Sequence, residues 1–125
     1  MTWYTASLVT ALWQEGREGP LLVFEDTMLI EAKSRDEGLS IAESMGKELE
    51  SLDDDLRVDG KTAKRIFLGT RKLRSVYNEG SDIDQFPPSH RTELTHSLFE
   101  VESLEKAKEL AMGKRVTVSY VGESE

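Results

Sequence analysis

Two histidines and a glutamate in the C-terminal third of the chain are of residue types that bind metal ions. His90, Glu93 and His96 follow one another at intervals of three positions. Because side chains alternate between the two faces of an extended strand, His90 and His96 share one face and Glu93 points to the other. The three side chains cannot reach one ion without a bend in the strand. The sequence therefore predicts no metal site in this segment.

Other patterns of catalytic or cofactor-binding residues are absent as well. Neither histidine has a serine and an aspartate at the spacing of a catalytic triad. The acidic residues 53–55 with Asp59 and Gly60 lack the alternating oxygen ligands and the distal glutamate of an EF-hand, so they predict a solvated turn. The chain has no cysteine and no glycine-rich phosphate motif. We predict no catalytic, cofactor-binding or metal-binding residue, and the sequence favours a protein that is not an enzyme.

Basic side chains are concentrated between Lys61 and Arg74. Six of the 16 Lys and Arg residues fall within these positions, which contain no acid: Lys61, Lys64, Arg65, Arg71, Lys72 and Arg74. One interpretation is a solvated strand face, neutralised by the acidic helix before it or protecting an exposed sheet edge. The other is a docking strip for an anionic ligand or an acidic partner. Arg65, Arg71 and Arg74 are candidate interaction residues, and His96 is a further one.

Length and charge indicate the class of protein. The chain has 125 residues, which suits a single domain over residues 1–122 with a frayed tail at 123–125. Its formal net charge of −8 repels nucleic-acid phosphates and anionic lipid. No window approaches the ~18 apolar residues of a membrane-spanning helix, and the N-terminus has no secretion signal. These observations predict a cytoplasmic protein whose partner is neither a membrane nor nucleic acid.

Alternating apolar residues predict the strands. The first two, residues 3–13 and 24–32, flank a turn-like segment at 14–20 and form a hairpin, with Asp26 interrupting the apolar phase of the second. A third strand at 63–77 changes phase near Gly69, which predicts a β-bulge there. Residues 78–91 are a candidate recognition loop. Strands at 93–101 and 116–120 complete the set.

Two helices follow strands directly. Ser34 and Glu37 match a capping box before the first helix, and Ser103 caps the second, which Gly113 terminates. Apolar stripes run along both helices: Leu39, Ala42, Met45, Leu49 and Leu52 in the first, and Leu104, Ala107, Leu110 and Ala111 in the second. Gly38 and Gly46 are expected to weaken the first helix.

The two strand-to-helix segments are similar in sequence. Residues 29–34 and 98–103 match at leucine, glutamate and serine with an offset of 69 positions. Two strand–helix–strand units predict an α+β fold, a two-layer sandwich of a mostly antiparallel, five-stranded sheet with both helices on one face. The predicted order is β-β-α-β-β-α-β, related to the ferredoxin-like fold with an extra N-terminal strand.

Two tryptophans lie opposite the main apolar phase of the first strand. If that phase faces solvent, Trp3 and Trp13 form with Val9 an apolar strip typical of an interface. Alternatively, the loop at 78–91 covers them with Phe86 and its neighbouring prolines. Trp3, Trp13 and Phe86 are therefore further candidate interaction residues.

Several short motifs resemble one family of small bacterial proteins, a domain of unknown function. They are the opening Trp3-Tyr4, the strand-to-helix motif of residues 29–37 (Leu-Ile-Glu-Ala, then Ser34 and Asp36-Glu37), and residues 65–69 followed by Val76-Tyr77. The resemblance covers about the first 80 residues. It implies a bacterial, cytoplasmic setting and no known activity.

The missing catalytic patterns favour a non-enzymatic protein-interaction module. It would use the uncovered sheet face and the loop at 78–91 to self-associate or to bind one protein partner. An immunity-type inhibitor of a bacterial toxin is one instance, because small acidic proteins can neutralise basic nucleases through charge complementarity. The alternative is a small-molecule-binding protein or enzyme with a pocket between the sheet and that loop, using Arg65, Arg71 or His96.

Overall fold

The computed structural model describes residues 2–51, 56–76, 90–91 and 93–121. Within these ranges the elements are β1 (Thr2–Trp13), β2 (Leu21–Ala32), α1 (Arg35–Ser51), β3 (Arg57–Val58), β4 (Lys61–Thr62), β5 (Lys64–Ser75), β6 (Glu93–Val101), α2 (Leu104–Ala111) and β7 (Ser119–Tyr120). The predicted tail at 123–125 and residues 78–89 of the predicted loop lie outside the described residues.

Five strands form one antiparallel sheet in the order β5-β1-β2-β6-β7. The predicted N-terminal hairpin is present as β1 and β2. A separate hairpin, β3-β4, turns at Asp59 and Gly60, whose φ angles of 54° and 77° are those of a tight two-residue turn. The predicted α+β class, with a five-stranded antiparallel sheet and two helices, is confirmed.

The two helices lie on opposite faces of this sheet. β1 and β2 pair without a register break from Thr2↔Ala32 to Ala11↔Val23, so alternate residues face opposite sides. Even-numbered residues of β1 pack with α1 on what we call the α1 face: Tyr4, Ala6, Leu8, Ile30, Ala32, Ala42, Met45 and Leu73 form this core. Odd-numbered residues pack with α2 on the α2 face: Val9, Ala11, Leu21, Val23, Phe99, Val101, Ala107, Leu110 and Ala111 form this second core.

The prediction of a two-layer fold with both helices on one face is therefore wrong in this detail, and strand pairing gives the reason. β2 and β5 are both antiparallel to β1 and hence parallel to each other, so α1 completes a split β-α-β unit of the ferredoxin-like kind. β6 and β7 are antiparallel neighbours, so α2 does not connect parallel strands. The two similar sequence segments share a strand-to-helix junction without sharing a topology.

Both predicted helix caps are present. The Ser34 hydroxyl accepts a hydrogen bond from the Glu37 amide at 3.1 Å, and the Glu37 carboxylate accepts one from the Lys33 amide at 3.0 Å. At α2 the Ser103 hydroxyl accepts from the Lys106 amide at 3.1 Å. Gly113, at φ 85°, ends α2 as predicted, in the left-handed conformation that glycine adopts without strain.

Glycines in α1 allow the helix to approach aromatic rings of the sheet. Gly38 packs against the Tyr4 ring, and a Cβ atom added at Gly46 would overlap the Phe67 ring. Close packing therefore offsets the low helix propensity of these two glycines. The apolar stripe of α1 does not predict this packing. The predicted stripe includes Leu39, which is 42% exposed instead.

The predicted bulge in β5 is present at Gly69. Pairing with β1 shifts register twice, between Ser7 and Leu8 and between Val9 and Thr10, on either side of the Gly69 pairing. Gly69 has φ 151° and lies against Ala111 of α2. The two irregularities give β5 a bend that lets it contact both helices.

Candidate functional site

A group of five polar residues lies on the α1 face, in the half of the sheet away from the α1 core. We call it the polar cluster: Thr10, Asp26, Arg65, Glu93 and His96. Thr10 and Asp26 come from the central strands β1 and β2, Arg65 from the edge strand β5, and the last two from β6. Register places His96 beside Asp26 and Arg65 beside Leu12, so the cluster spans four adjacent strands.

Arg65 is held by three contacts within this cluster. Its Nη2 atom donates to Asp26 Oδ2 at 2.8 Å and its Nε atom donates to Thr10 Oγ1 at 2.9 Å. Its guanidinium also lies 4.8 Å from the centroid of the Phe24 ring. Thr10 and Asp26 are buried, so Arg65 neutralises an interior carboxylate. This predicted interaction residue therefore has a structural role.

A second β-bulge brings Glu93 next to His96. Thr27 pairs with Thr95 and Met28 with Glu93, which leaves Leu94 as an extra residue in β6. Glu93 Oε1 then lies 3.2 Å from His96 Nδ1. This corrects the prediction that the two side chains point to opposite faces, because the bulge supplies the bend that regular alternation lacks.

Asp26 joins these two residues in place of His90. One potential metal-ligating atom from each of Asp26, Glu93 and His96 lies within 4.8 Å of the others. His90 instead accepts a hydrogen bond at Nδ1 from the Glu31 amide at 2.8 Å. In the sequence, Asp26 is unusual because it interrupts the apolar phase of the second strand, and this was the feature that could have identified it as a site residue.

Burial raises the pKa of the Asp26 carboxyl group above its ordinary value, and the negative charge of Glu93 raises it further. The Arg65 guanidinium and His96 act in the opposite direction without cancelling the increase in the pKa. Asp26 is thus a buried acid in a partly compensated electrostatic environment.

A second region, which we call the basic groove, runs along the edge strand β5 beside the start of α1. It has a volume of about 420 Å³ and is lined by Arg35, Leu39 and residues 70–74 of β5. Arg35 Nη1 donates to the Leu73 carbonyl at 2.7 Å. The Thr70 hydroxyl is buried and, among the described residues, has no hydrogen-bond partner. Of these lining residues, Arg71 and Arg74 are interaction candidates predicted from the sequence.

Arg71, the other predicted cation of β5, also lines the groove but is already paired. Arg71 forms an ion pair with Glu25, whose register position lies on the α2 face. Glu25 and Asp26 of β2 thus neutralise Arg71 and Arg65, in place of the acidic helix that the sequence suggested. Within the described ranges Lys72 and Arg74 form no ion pair.

The predicted tryptophan strip does not form as expected. Val9 is fully buried in the core beneath α2, and Trp3 and Trp13 are each partly buried. The reason is that α2 covers the face assumed to be open. Phe86 lies outside the described residues, so its predicted contact with the tryptophans stays a prediction.

Only the end of the predicted recognition loop belongs to the described residues. The Arg91 amide donates to the Leu29 carbonyl at 2.5 Å, and its side chain forms an ion pair with Glu48 of α1. Arg91, Glu48 and four apolar residues line a cavity of about 370 Å³, the four being Leu8, Met28, Met45 and Leu49. Leu8 and Met28 are the register partners of Asp26 and Glu93, so this cavity borders the polar cluster.

Residues 3–84 match the model of a family described as a domain of unknown function, DUF4288. The chain belongs to this family. The matched range agrees with the first 80 or so residues that carried the sequence resemblance. No curated protein and no solved structure matches the chain. In the described part of this DUF4288 protein, neither helix has the length and apolar character needed to cross a membrane.

The two candidate regions differ in their relation to the DUF4288 segment. The basic groove lies wholly inside residues 3–84, as do Asp26 and Arg65. Glu93 and His96 come from β6, beyond the matched range. The groove is therefore built entirely by the family segment, whereas the polar cluster needs the C-terminal part of this chain.

Proposed function

We propose that this protein is a non-enzymatic interaction module that binds an acidic segment of a protein partner in the basic groove. The observation that carries the proposal is the set of unneutralised polar groups in one edge groove. Lys72 and Arg74 are exposed and form no ion pair within the described ranges, and the Thr70 hydroxyl there is buried without a hydrogen bond. A carboxylate would neutralise the two cations.

The groove favours a polypeptide over a small anion as its occupant. Its volume of about 420 Å³ exceeds what a single phosphate or carboxylate fills. It follows the terminal strand of the sheet, and an extended segment can lie along such an edge with its side chains reaching alternate positions. Side chains from both faces of β5 flank a ligand placed there, since register puts Thr70 on the α1 face and Lys72 on the α2 face.

The net charge of −8 does not prevent this binding. Repulsion between the whole protein and an acidic peptide is screened beyond about 8 Å at physiological salt, whereas contacts in the groove act at shorter range. The narrower form of the proposal, an immunity-type inhibitor, then requires a toxin with an acidic docking segment. The basic groove favours a toxin with such an acidic segment. Net charge alone favours a toxin with a basic surface, such as a nuclease.

A charge-reversal experiment tests the proposal. The probe is a fluorescein-labelled peptide of alternating glutamate and serine, titrated with the full chain in 0.15 M salt and followed by anisotropy. We expect saturable binding that the Lys72→Glu, Arg74→Glu double variant weakens by roughly tenfold or more, which corresponds to about 1.4 kcal/mol. Thr70→Val, which replaces the buried hydroxyl by a methyl group, should leave binding within about twofold of the unmodified protein.

The matched control is Lys47→Glu, Lys108→Glu, which changes net charge equally on α1 and α2 away from the groove. Binding in this variant should stay within about twofold of the unmodified protein. An equal loss in both double variants would show a nonspecific charge effect and overturn the proposal. It also fails if the peptide does not bind, or if inorganic phosphate at equal concentration displaces it completely.

A further inference from the structure

The polar cluster contains a set of three metal-ligating side chains that its internal contacts do not fully explain. Asp26, Glu93 and His96 contribute two carboxylates and one imidazole, with one ligating atom of each within 4.8 Å of the others. Ligand atoms bound to one ion at about 2.1 Å lie up to roughly 4.2 Å apart. Glu93 and His96 have side chains that are 42% and 62% exposed, so small rotations of these two side chains close the remaining gap.

The contacts of Asp26 also favour a bound cation. Its side chain is only 6% exposed, and Arg65 binds one of its oxygens, Oδ2. Among the hydrogen bonds of the described residues, none reaches the other oxygen. This second oxygen is not among the buried side-chain atoms that lack a partner, so it keeps some contact with solvent. A cation bound beside Glu93 and His96 can therefore reach it.

The charges of the cluster also favour a cation. Two carboxylates lie close together, and Arg65 is the permanent positive charge in contact with one of them, that of Asp26. With neutral histidine the group carries a net charge of −1, and a divalent ion changes it to +1. The bulge at Leu94 is what places Glu93 beside this interior acid, and bulges often reorient a side chain in this way next to functional sites.

We propose that Asp26, Glu93 and His96 bind one divalent first-row transition-metal ion, such as Zn²⁺ or Mn²⁺. One nitrogen and two oxygen donors without sulfur suit these ions. Three protein ligands leave coordination positions open, and a cavity of about 370 Å³ lies beside the cluster, lined by the register partners of Asp26 and Glu93. The proposal revises the sequence-based expectation of no metal site and is independent of the basic groove.

Calorimetric titration of the full chain with ZnCl₂ tests this site, with circular dichroism of each variant as the check on folding. We expect one equivalent of Zn²⁺ to bind. His96→Gln and Glu93→Gln should each weaken binding by about a hundredfold, since loss of an outer hydrogen-bond partner alone costs about 10- to 100-fold in affinity. His90→Gln is the matched control, because His90 bonds to the Glu31 amide instead, and it should bind Zn²⁺ as the unmodified chain does.

Titration with Co²⁺ gives an independent readout, because its visible absorption reports the ligand geometry. We expect bands that appear in the unmodified chain and in His90→Gln and are lost in His96→Gln. Absence of stoichiometric Zn²⁺ binding overturns the proposal. So does unchanged binding in His96→Gln, or loss of binding in His90→Gln, because either result places the ion elsewhere.

Discussion

The polar cluster and the basic groove use cations of the same strand in opposite ways. β5 contributes Arg65 to the cluster, where its guanidinium meets a buried carboxylate, a hydroxyl and an aromatic ring. Nine positions later, Arg74 is exposed and forms no ion pair within the described ranges. Consecutive basic residues of one strand therefore differ in role: some neutralise buried acids, and others are exposed and can bind a partner. The position of each residue in the paired sheet determines its role.

This difference has an energetic consequence. Desolvating a charge is expensive unless a partner compensates for it, and a buried pair that loses one partner leaves the other uncompensated. Exposed charges keep their water and contribute little to stability. We expect the cluster to control the free energy of unfolding, and the groove to control binding.

The largest expected effect is that of removing Arg65. Arg65→Met keeps much of the side-chain volume but leaves Asp26 buried without its counter-charge. We expect a loss of about 3 kcal/mol in the free energy of unfolding, measured by urea denaturation. Arg74→Met, which makes the same chemical change in the groove, is the control and should change stability by less than about 0.5 kcal/mol.

The pair can also be removed as a whole. Arg65→Met combined with Asp26→Leu removes both charges, and we expect it to recover a substantial part of the lost stability. If Arg65→Met alone costs less than about 1 kcal/mol, the guanidinium is no more structural than an exposed surface charge. The distinction between the two regions would then fail.

The next effect is a pH dependence carried by Asp26. Because its pKa is raised in the folded protein, the folded state holds the Asp26 proton more tightly than the unfolded chain does. Its contribution to stability is full below the unfolded pKa of about 3.9 and is lost as pH rises through the folded pKa. Asp26→Asn should therefore gain in stability relative to the unmodified chain as pH is raised from acid to neutral.

Urea unfolding over a pH series in EDTA measures this, and EDTA removes any contribution from bound metal. The unpaired Arg65 destabilises the variant by a similar amount at every pH, so the slope of the difference reports the carboxyl group. We expect a smaller effect than that of Arg65→Met, because Arg65 and His96 oppose the increase in the pKa. A difference that is flat with pH, or that falls as pH rises, would contradict a raised pKa.

Local features of this fold could be predicted from the sequence because each depends on nearby residues. Ser34 and Glu37 form the predicted cap, and the phase change around Gly69 marks a real bulge. The phase of the strand at 93–101 is equally mixed, with Leu94 and Leu98 against Phe99 and Val101. From Thr95 to Val101 the pairing with β2 is regular, so Leu98 lies on the α1 face and Phe99 and Val101 on the α2 face. The bulge at Leu94 is not visible in this pattern, and an assumed regular alternation separated Glu93 from His96.

Nonlocal features depend on strand neighbours that one sequence does not specify. Arg65 meets Asp26 across β1, so this pair follows only from the order β5-β1-β2. The placement of the helices also depends on nonlocal contacts. The four consecutive residues Leu8, Val9, Thr10 and Ala11 are all fully buried, which requires that both faces of β1 are covered. The prediction that both helices lie on one face of the sheet assumed that each strand has one solvent-exposed face.

The smallest expected effect is on stability when the groove loses its available charges. Lys72→Ala, Arg74→Ala removes two exposed cations of the edge strand that have no ion-pair partner within the described ranges. We expect the free energy of unfolding to change by less than about 0.5 kcal/mol in urea denaturation, while affinity for the acidic probe falls. A loss of 2 kcal/mol or more would mean that these cations stabilise the fold as Arg65 does. The groove would then be a second structural cluster, and unneutralised charge on β5 could no longer be used to identify a docking surface.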